Sequence, residues 1–206
     1  MEIKKTAVIG CGTMGAGIAQ VFAQSGYQVV VMEKNEELLK KGLSSIDAFL
    51  MKSVEKGKVS QEEKSSTLGR ITTSTEYGDL HDRDLVIEAI HEDLDLKKSI
   101  FKTLDEVCPA HAILATNTSS LSVIDMASAT NRPDKFLGLH FMNPVPLMKL
   151  LEIVRSIATS EETLETCKAF GESLGKTIIV AKDTPGFIVN YLQYPFRLHA
   201  IRMLEA

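Results

Sequence analysis

TAVIGCGTMGAGIAQ, residues 6–20, joins a short apolar run to a glycine-rich turn and then to a helical pattern. Ala7-Val8-Ile9 predicts a strand, and Ile18, Val21 and Phe22 recur at helical spacing beyond the turn. Gly10 permits the tight turn, and Gly12 lets the backbone approach a pyrophosphate with no side chain between. Gly15 lets the new helix pack closely on its strand. Such a helix points unpaired N–H groups and the positive end of its dipole at the phosphates.

The next strand strengthens this reading. Residues 27–32 (YQVVVM) form a β-branched run that ends in Glu33, on the order of 20 residues past the glycines. An acid at that spacing hydrogen-bonds the adenosine ribose hydroxyls and repels a 2′-phosphate. Glu33 therefore favours NAD over NADP.

The composition excludes several other classes. A net charge of −4 gives no basic footprint for nucleic acid, and acidic and basic residues are mixed along the chain. Cys11, Cys108 and Cys167 are odd in number and lack metal-ligand spacing, which fits a reduced, cytoplasmic protein. Cys11 lies in the glycine loop, where a small packing residue is a better reading than a redox handle. The five histidines form no HExxH or comparable cluster, so we expect no metal. No apolar run approaches the roughly 20 residues needed to span a bilayer. MEIKKT leads straight into the first strand, so no signal or transit peptide is expected.

Further along, residues 35–68 predict a helical hairpin, with Asn35 as N-cap and Ser60 with Glu63 as a capping box. Its lysines, Lys52, Lys56, Lys58 and Lys64, are diluted by acids and read as a solvated face. Apolar runs at 71–74, 84–90, 112–115, 136–140, 150–154 and 177–181 predict strands, with helices near 94–107 and 161–174. This alternation gives an α/β class: a Rossmann-like, doubly wound, mainly parallel sheet with a helical hairpin insertion. Asp183-Thr184-Pro185-Gly186 is a turn signal that divides residues 1–184 from 185–206. From Phe187 the pattern is helical to the last residue, with no stop signal. We therefore expect 185–206 to be a linker and the first helix of a truncated all-helical domain.

In an open α/β sheet, ligands bind beyond the carboxyl ends of the strands. The residues there are Gly10 and Gly12, Glu33, Glu88-Ala89 with Glu92, Asn117-Thr118-Ser119, and His140 with Asn143. They are small, polar or ionisable, and the last group includes a proton-transfer residue. In LLEIV, residues 150–154, both period-two faces are apolar, so Glu152 is predicted to be buried and to need a partner. If His140 is that partner, Glu152 fixes its tautomer and steadies the imidazolium. The alternative is a carboxylate at a wet sheet edge.

The chain resembles the short-chain L-3-hydroxyacyl-CoA dehydrogenases, bacterial 3-hydroxybutyryl-CoA dehydrogenases in particular. The blocks that carry the resemblance are GCGTMG at 10–15, EAIHED at 88–93, NTSSL at 117–121, GLHFMNPVPLMKLLEI at 138–153 and KDTPGFIVN at 182–190. The resemblance implies His140 as catalytic base, Glu152 as its orienting partner, and Ser119 and Asn143 as polarising residues. It implies NAD contacts at Gly10, Gly12, Thr13, Met14, Gly15, Glu33, Ala89, Glu92, Lys97, Asn117, Ser119 and Asn143. It places Ser119, Asn143 and Asn190 at an acyl-CoA substrate and makes the 35–68 hairpin a CoA clamp. It further implies a homodimer formed through a helical domain that this chain lacks. Two rivals remain: another β-hydroxyacid dehydrogenase, and a non-catalytic NAD-binding protein.

Overall fold

The structure is a computed structural model and describes residues 2–206. The chain begins with strand β1 (Lys5–Ile9), helix α1 (Thr13–Gln24), β2 (Gln28–Met32), α2 (Glu36–Glu55), α3 (Gln61–Gly69) and β3 (Ile71–Ser74). It continues with β4 (Leu85–Glu88), α4 (Leu94–Val107), β5 (Ile113–Thr116), α5 (Val123–Ala127) and β6 (Phe136–Phe141). β7 (Leu150–Arg155), α6 (Glu161–Ser173), β8 (Thr177–Lys182) and α7 (Val189–Glu205) complete it. Short 3-10 turns occupy Tyr77–Leu80 and Pro133–Lys135. These turns and α5 escape the sequence pattern, because a five-residue helix is too short to display a period.

The strands form one sheet in the order β3-β2-β1-β4-β5-β6-β7-β8. Every neighbouring pair is parallel except β6 with β7. Residues 142–149 link that pair with no helix between them, and so short a link suits antiparallel strands. β7 and β8 thus run against the other six. From β1 the chain winds outward through β2 to β3, then crosses to β4 on the other side of β1. That reversal opens a crevice at the carboxyl ends of β1 and β4.

Both faces of the sheet are covered. On one, the Phe22 ring of α1 meets Phe141 of β6 edge-on at 6.0 Å and Phe170 of α6 at 5.0 Å. On the other, Phe101 of α4 meets Phe136 at 4.6 Å. The α2–α3 hairpin is capped as its sequence predicts, with Asn35 accepting from Leu38 N–H and a capping box between Ser60 and Glu63. Lys64 departs from the expected solvated face: it is buried and pairs with Asp47 at 2.8 Å. α7 buries none of its residues and leaves Leu192, Phe196 and Leu204 exposed. It follows a turn in which Gly186 (φ +80°) and Phe187 (φ +51°) both take left-handed backbone.

Candidate active site

The glycine turn is built as its sequence predicts. Gly10 has φ +97°, and a Cβ on it would stand 2.8 Å from the Ala89 carbonyl across the crevice. A Cβ on Gly15 would lie 1.9 Å from the Gly10 carbonyl, so α1 sits on β1 with no room for alanine. A Cβ on Gly12 meets nothing within 4 Å. Helix α1 starts there with no side-chain cap and no acid in its first turn. Helices α2 to α6 are all capped by a side chain, so the open end of α1 is a distinct feature. Cys11 is buried, and α2 crosses it so closely that a Cβ on Gly42 would lie 2.0 Å from its sulfur. This is a packing role, and burial pushes the thiol up to about 11, with Glu33 adding to the shift.

Glu33 ends β2 facing this turn. One carboxylate oxygen accepts from Cys11 N–H at 3.2 Å and the other from Lys34 N–H at 2.8 Å. A cavity of about 830 Å³ runs beside it, lined by Gly10, Gly12, Thr13, Glu33, Ala89 and a group of side chains the sequence reading missed. That group is Leu38, Tyr77, Ile90, Leu96, Ile100 and Thr103. The spacing of Leu96, Ile100 and Thr103 along α4 was a legible signal that they share one helix face.

Met14 and Ile90 also line a second cavity, of about 620 Å³, so the two spaces adjoin. This second space gathers Glu92, Asn117, Ser119, His140, Asn143 and Asn190, which come from four separate segments. His140 and Glu152 are directly opposite in the antiparallel register of β6 and β7. His140 Nδ1 lies 2.6 Å from Glu152 Oε2, with the Glu152 side chain fully buried and that of His140 8 % exposed. An ionised carboxylate only accepts, so Nδ1 carries the proton and Nε2 is the nitrogen left for chemistry. The alternative of Glu152 at a wet sheet edge is excluded by β8, which covers β7 on the outer side.

The remaining site residues are held by one another. Asn117 Oδ1 accepts from Phe141 N–H at 2.9 Å, tying the end of β5 to the end of β6. Glu92 accepts from Thr118 Oγ1 and from Ser119 N–H. Lys97 bridges Glu92 at 2.9 Å and the fully buried Glu88 at 2.6 Å. Burial alone would raise the Glu92 carboxyl, but Thr118, Lys97 and Ser119 together hold it below its ordinary value. Glu88 also accepts from Thr116 Oγ1 at 2.7 Å and Ile90 N–H at 2.7 Å. Among the described residues, no helix is long and apolar enough to cross a membrane.

Residues 5–184 match the family model described as 3-hydroxyacyl-CoA dehydrogenase, NAD binding domain. The chain belongs to this family. It is 45 % identical over 201 residues to a probable 3-hydroxybutyryl-CoA dehydrogenase of Bacillus subtilis, covering 98 % of this chain and 70 % of that protein. It is 46 % identical over 209 residues to the mitochondrial hydroxyacyl-coenzyme A dehydrogenase of Sus scrofa, covering 98 % and 67 %. The crystal structure of FadB2 of M. tuberculosis superposes with a TM-score of 0.98 at 43 % identity, covering all of this chain and 73 % of that one.

The residues fit the dinucleotide of a 3-hydroxyacyl-CoA dehydrogenase NAD-binding domain. The open space at Gly12 and the uncapped α1 N-terminus offer a cradle for a pyrophosphate. Glu33 lines the same cavity as the glycine turn, and the adjoining cavity leads from there to His140. Lys97, expected as a cofactor contact, lies behind Glu92 in this structure. Its side chain is 1 % exposed, and its ammonium is engaged by two carboxylates, of which Glu92 lines the cavity.

Proposed function

We propose that this chain carries out reversible NAD-dependent oxidation of an L-3-hydroxyacyl-CoA, 3-hydroxybutyryl-CoA foremost, to the 3-ketoacyl-CoA. His140 is its general base and acid. The observation that carries this reading is the buried His140–Glu152 pair, opening on a cavity that adjoins the dinucleotide crevice. Held in the crevice at Gly10, Gly12 and Glu33, NAD would supply the hydride acceptor for oxidation, and NADH the hydride donor for reduction. His140 Nε2 accepts the C3 hydroxyl proton in oxidation and donates it back to the carbonyl oxygen in reduction. Glu152, by accepting Nδ1–H, holds the ring in the tautomer that leaves Nε2 free, and it stabilises the imidazolium. Ser119 and Asn143 stand on the same cavity and supply polar groups for the charge that develops on the oxygen.

Relatives that bear dehydrogenase names with an acyl-CoA substrate support the substrate class. The three cysteines are buried and unpaired, which supports a cytoplasmic setting. The exposed apolar side chains of α7 support a homodimer formed through a helical region. A non-catalytic NAD-binding protein has no use for a buried imidazole–carboxylate pair at the nicotinamide end. The test is acetoacetyl-CoA reduction by wild type and His140→Asn, followed by NADH absorbance. Loss of the general acid lowers kcat by at least about 10²-fold. Wild-type turnover by His140→Asn removes the imidazole from the reaction, and wild-type activity restricted to longer 3-ketoacyl-CoA substrates revises the substrate.

A further inference from the structure

Glu152 has a second carboxylate oxygen, and the orienting role described so far leaves it unused. Oε1 accepts from Ile188 N–H at 3.1 Å and from Val189 N–H at 2.9 Å, the two amides at the start of α7. That helix has no side-chain cap from its own segment. Its cap is therefore a strand carboxylate more than thirty residues earlier, the same group that holds the His140 ring. Two further contacts bind the same turn to the site. The Phe187 ring packs edge-on against the His140 ring at 5.5 Å, and Phe187 is buried with left-handed backbone. Asn190 Nδ2 donates to the Ser119 carbonyl at 3.3 Å.

We propose that the first turn of α7, residues 187–190, is a positioning element for His140, acting through the shared carboxylate of Glu152. A carboxylate bound only to an imidazole can rotate about its last torsion, and the ring can turn with it. Two amide donors on the other oxygen fix the carboxylate plane, so Oε2 stays aimed at Nδ1. Seating of α7 then holds the imidazole, and the left-handed bend at Gly186 and Phe187 sets the direction from which the amides arrive.

The proposal rests on His140 as the proton-transfer group, and its test separates the two. Gly186→Ala strains a left-handed position and places a Cβ 3.0 Å from Tyr191 N, disturbing the turn without touching His140 or Glu152. The readouts are the ¹⁵N and Nδ1–H ring signals of His140, assigned with His140→Asn, together with kcat and NADH affinity. Disturbing the turn weakens the Nδ1–H signal and mixes the tautomers. It lowers kcat about tenfold and leaves NADH affinity within about twofold, because only the proton-transfer geometry is lost. An intact Nδ1–H signal in Gly186→Ala overturns the proposal, whatever the turnover. If that variant does not fold, Val189→Pro is read in the same way, since proline is tolerated at the first helical position and removes one of the two amide donors to Oε1. An active His140→Asn enzyme refutes the assigned chemistry and leaves the ring signal as a separate question.

Discussion

Helices α1 and α7 both begin at the site, and their first turns are completed in opposite ways. The α1 end has no side-chain cap, no acid in its first turn and open space at Gly12. The α7 end is closed by Glu152, which reaches it from β7. An open N-terminus offers its donors to a ligand that arrives from outside, whereas a closed one has its donors engaged in fixing a side chain. On the proposed function, the first is expected to govern affinity and the second turnover. Substitutions at the two ends should separate along that line.

The largest effect is expected from Gly12→Asp. Aspartate is a good N-cap, so α1 loses nothing and its stability rises slightly or holds. The carboxylate, however, occupies the cradle and repels a pyrophosphate. NADH affinity should fall by about 10²-fold while thermal stability does not fall, because the unfavourable term is between like charges at close range. Calorimetric NADH titration beside thermal unfolding checks this, and unchanged affinity would place the pyrophosphate elsewhere.

Glu152→Gln comes next and should act on the other axis. Glutamine still offers an acceptor, but it cannot serve both α7 and the ring as an anion. We expect kcat to fall about tenfold with NADH affinity within about twofold, since the loss is confined to the transition state. The unfolding midpoint should also drop by a few degrees, because a buried network loses a partner. Normal turnover in this variant would dismiss the dyad.

Glu33→Ala is milder. It should weaken NAD severalfold and narrow the preference over NADP, because a carboxylate that binds ribose hydroxyls and repels a 2′-phosphate is gone. Parallel titrations with both cofactors decide it, and superimposable curves for wild type and variant would take Glu33 out of the site. The smallest effect concerns Cys11. With its thiol pushed up to about 11, it is protonated at neutral pH, and the thiolate appears only as pH climbs towards that value. Incubation with iodoacetamide at neutral pH should leave NADH binding unchanged. Rapid loss of binding would show a reactive thiol in the glycine turn.

Much of the cofactor half was legible in advance, because its features are local. Gly10, Gly12 and Gly15 are spaced by the demands of one turn, and Glu33 follows at the end of the very next strand. The caps at Asn35 and Ser60 were readable for the same reason, each being made by a side chain and an amide three residues away. Lys97 shows what a local reading leaves out. Its charge and position after Glu92 match a cofactor contact, yet burial against Glu88 and Glu92 draws the ammonium inward. Nothing in the sequence signals that Glu88, at the end of an apolar strand, is the second anion of that pair.

The sequence by itself determined the sheet class, the glycine turn, the acid that follows β2, and the need of Glu152 for a partner. Those follow from periodicity and from the cost of burying an unpaired charge, which local sequence already expresses. Only the tertiary structure decided that β7 runs antiparallel to β6 in the register that sets Glu152 opposite His140. It alone decided that the other oxygen of Glu152 closes α7. Strand direction and helix seating are settled by how whole elements pack. A carboxylate's second partner, more than thirty residues away, leaves no mark on the spacing of the residues around it.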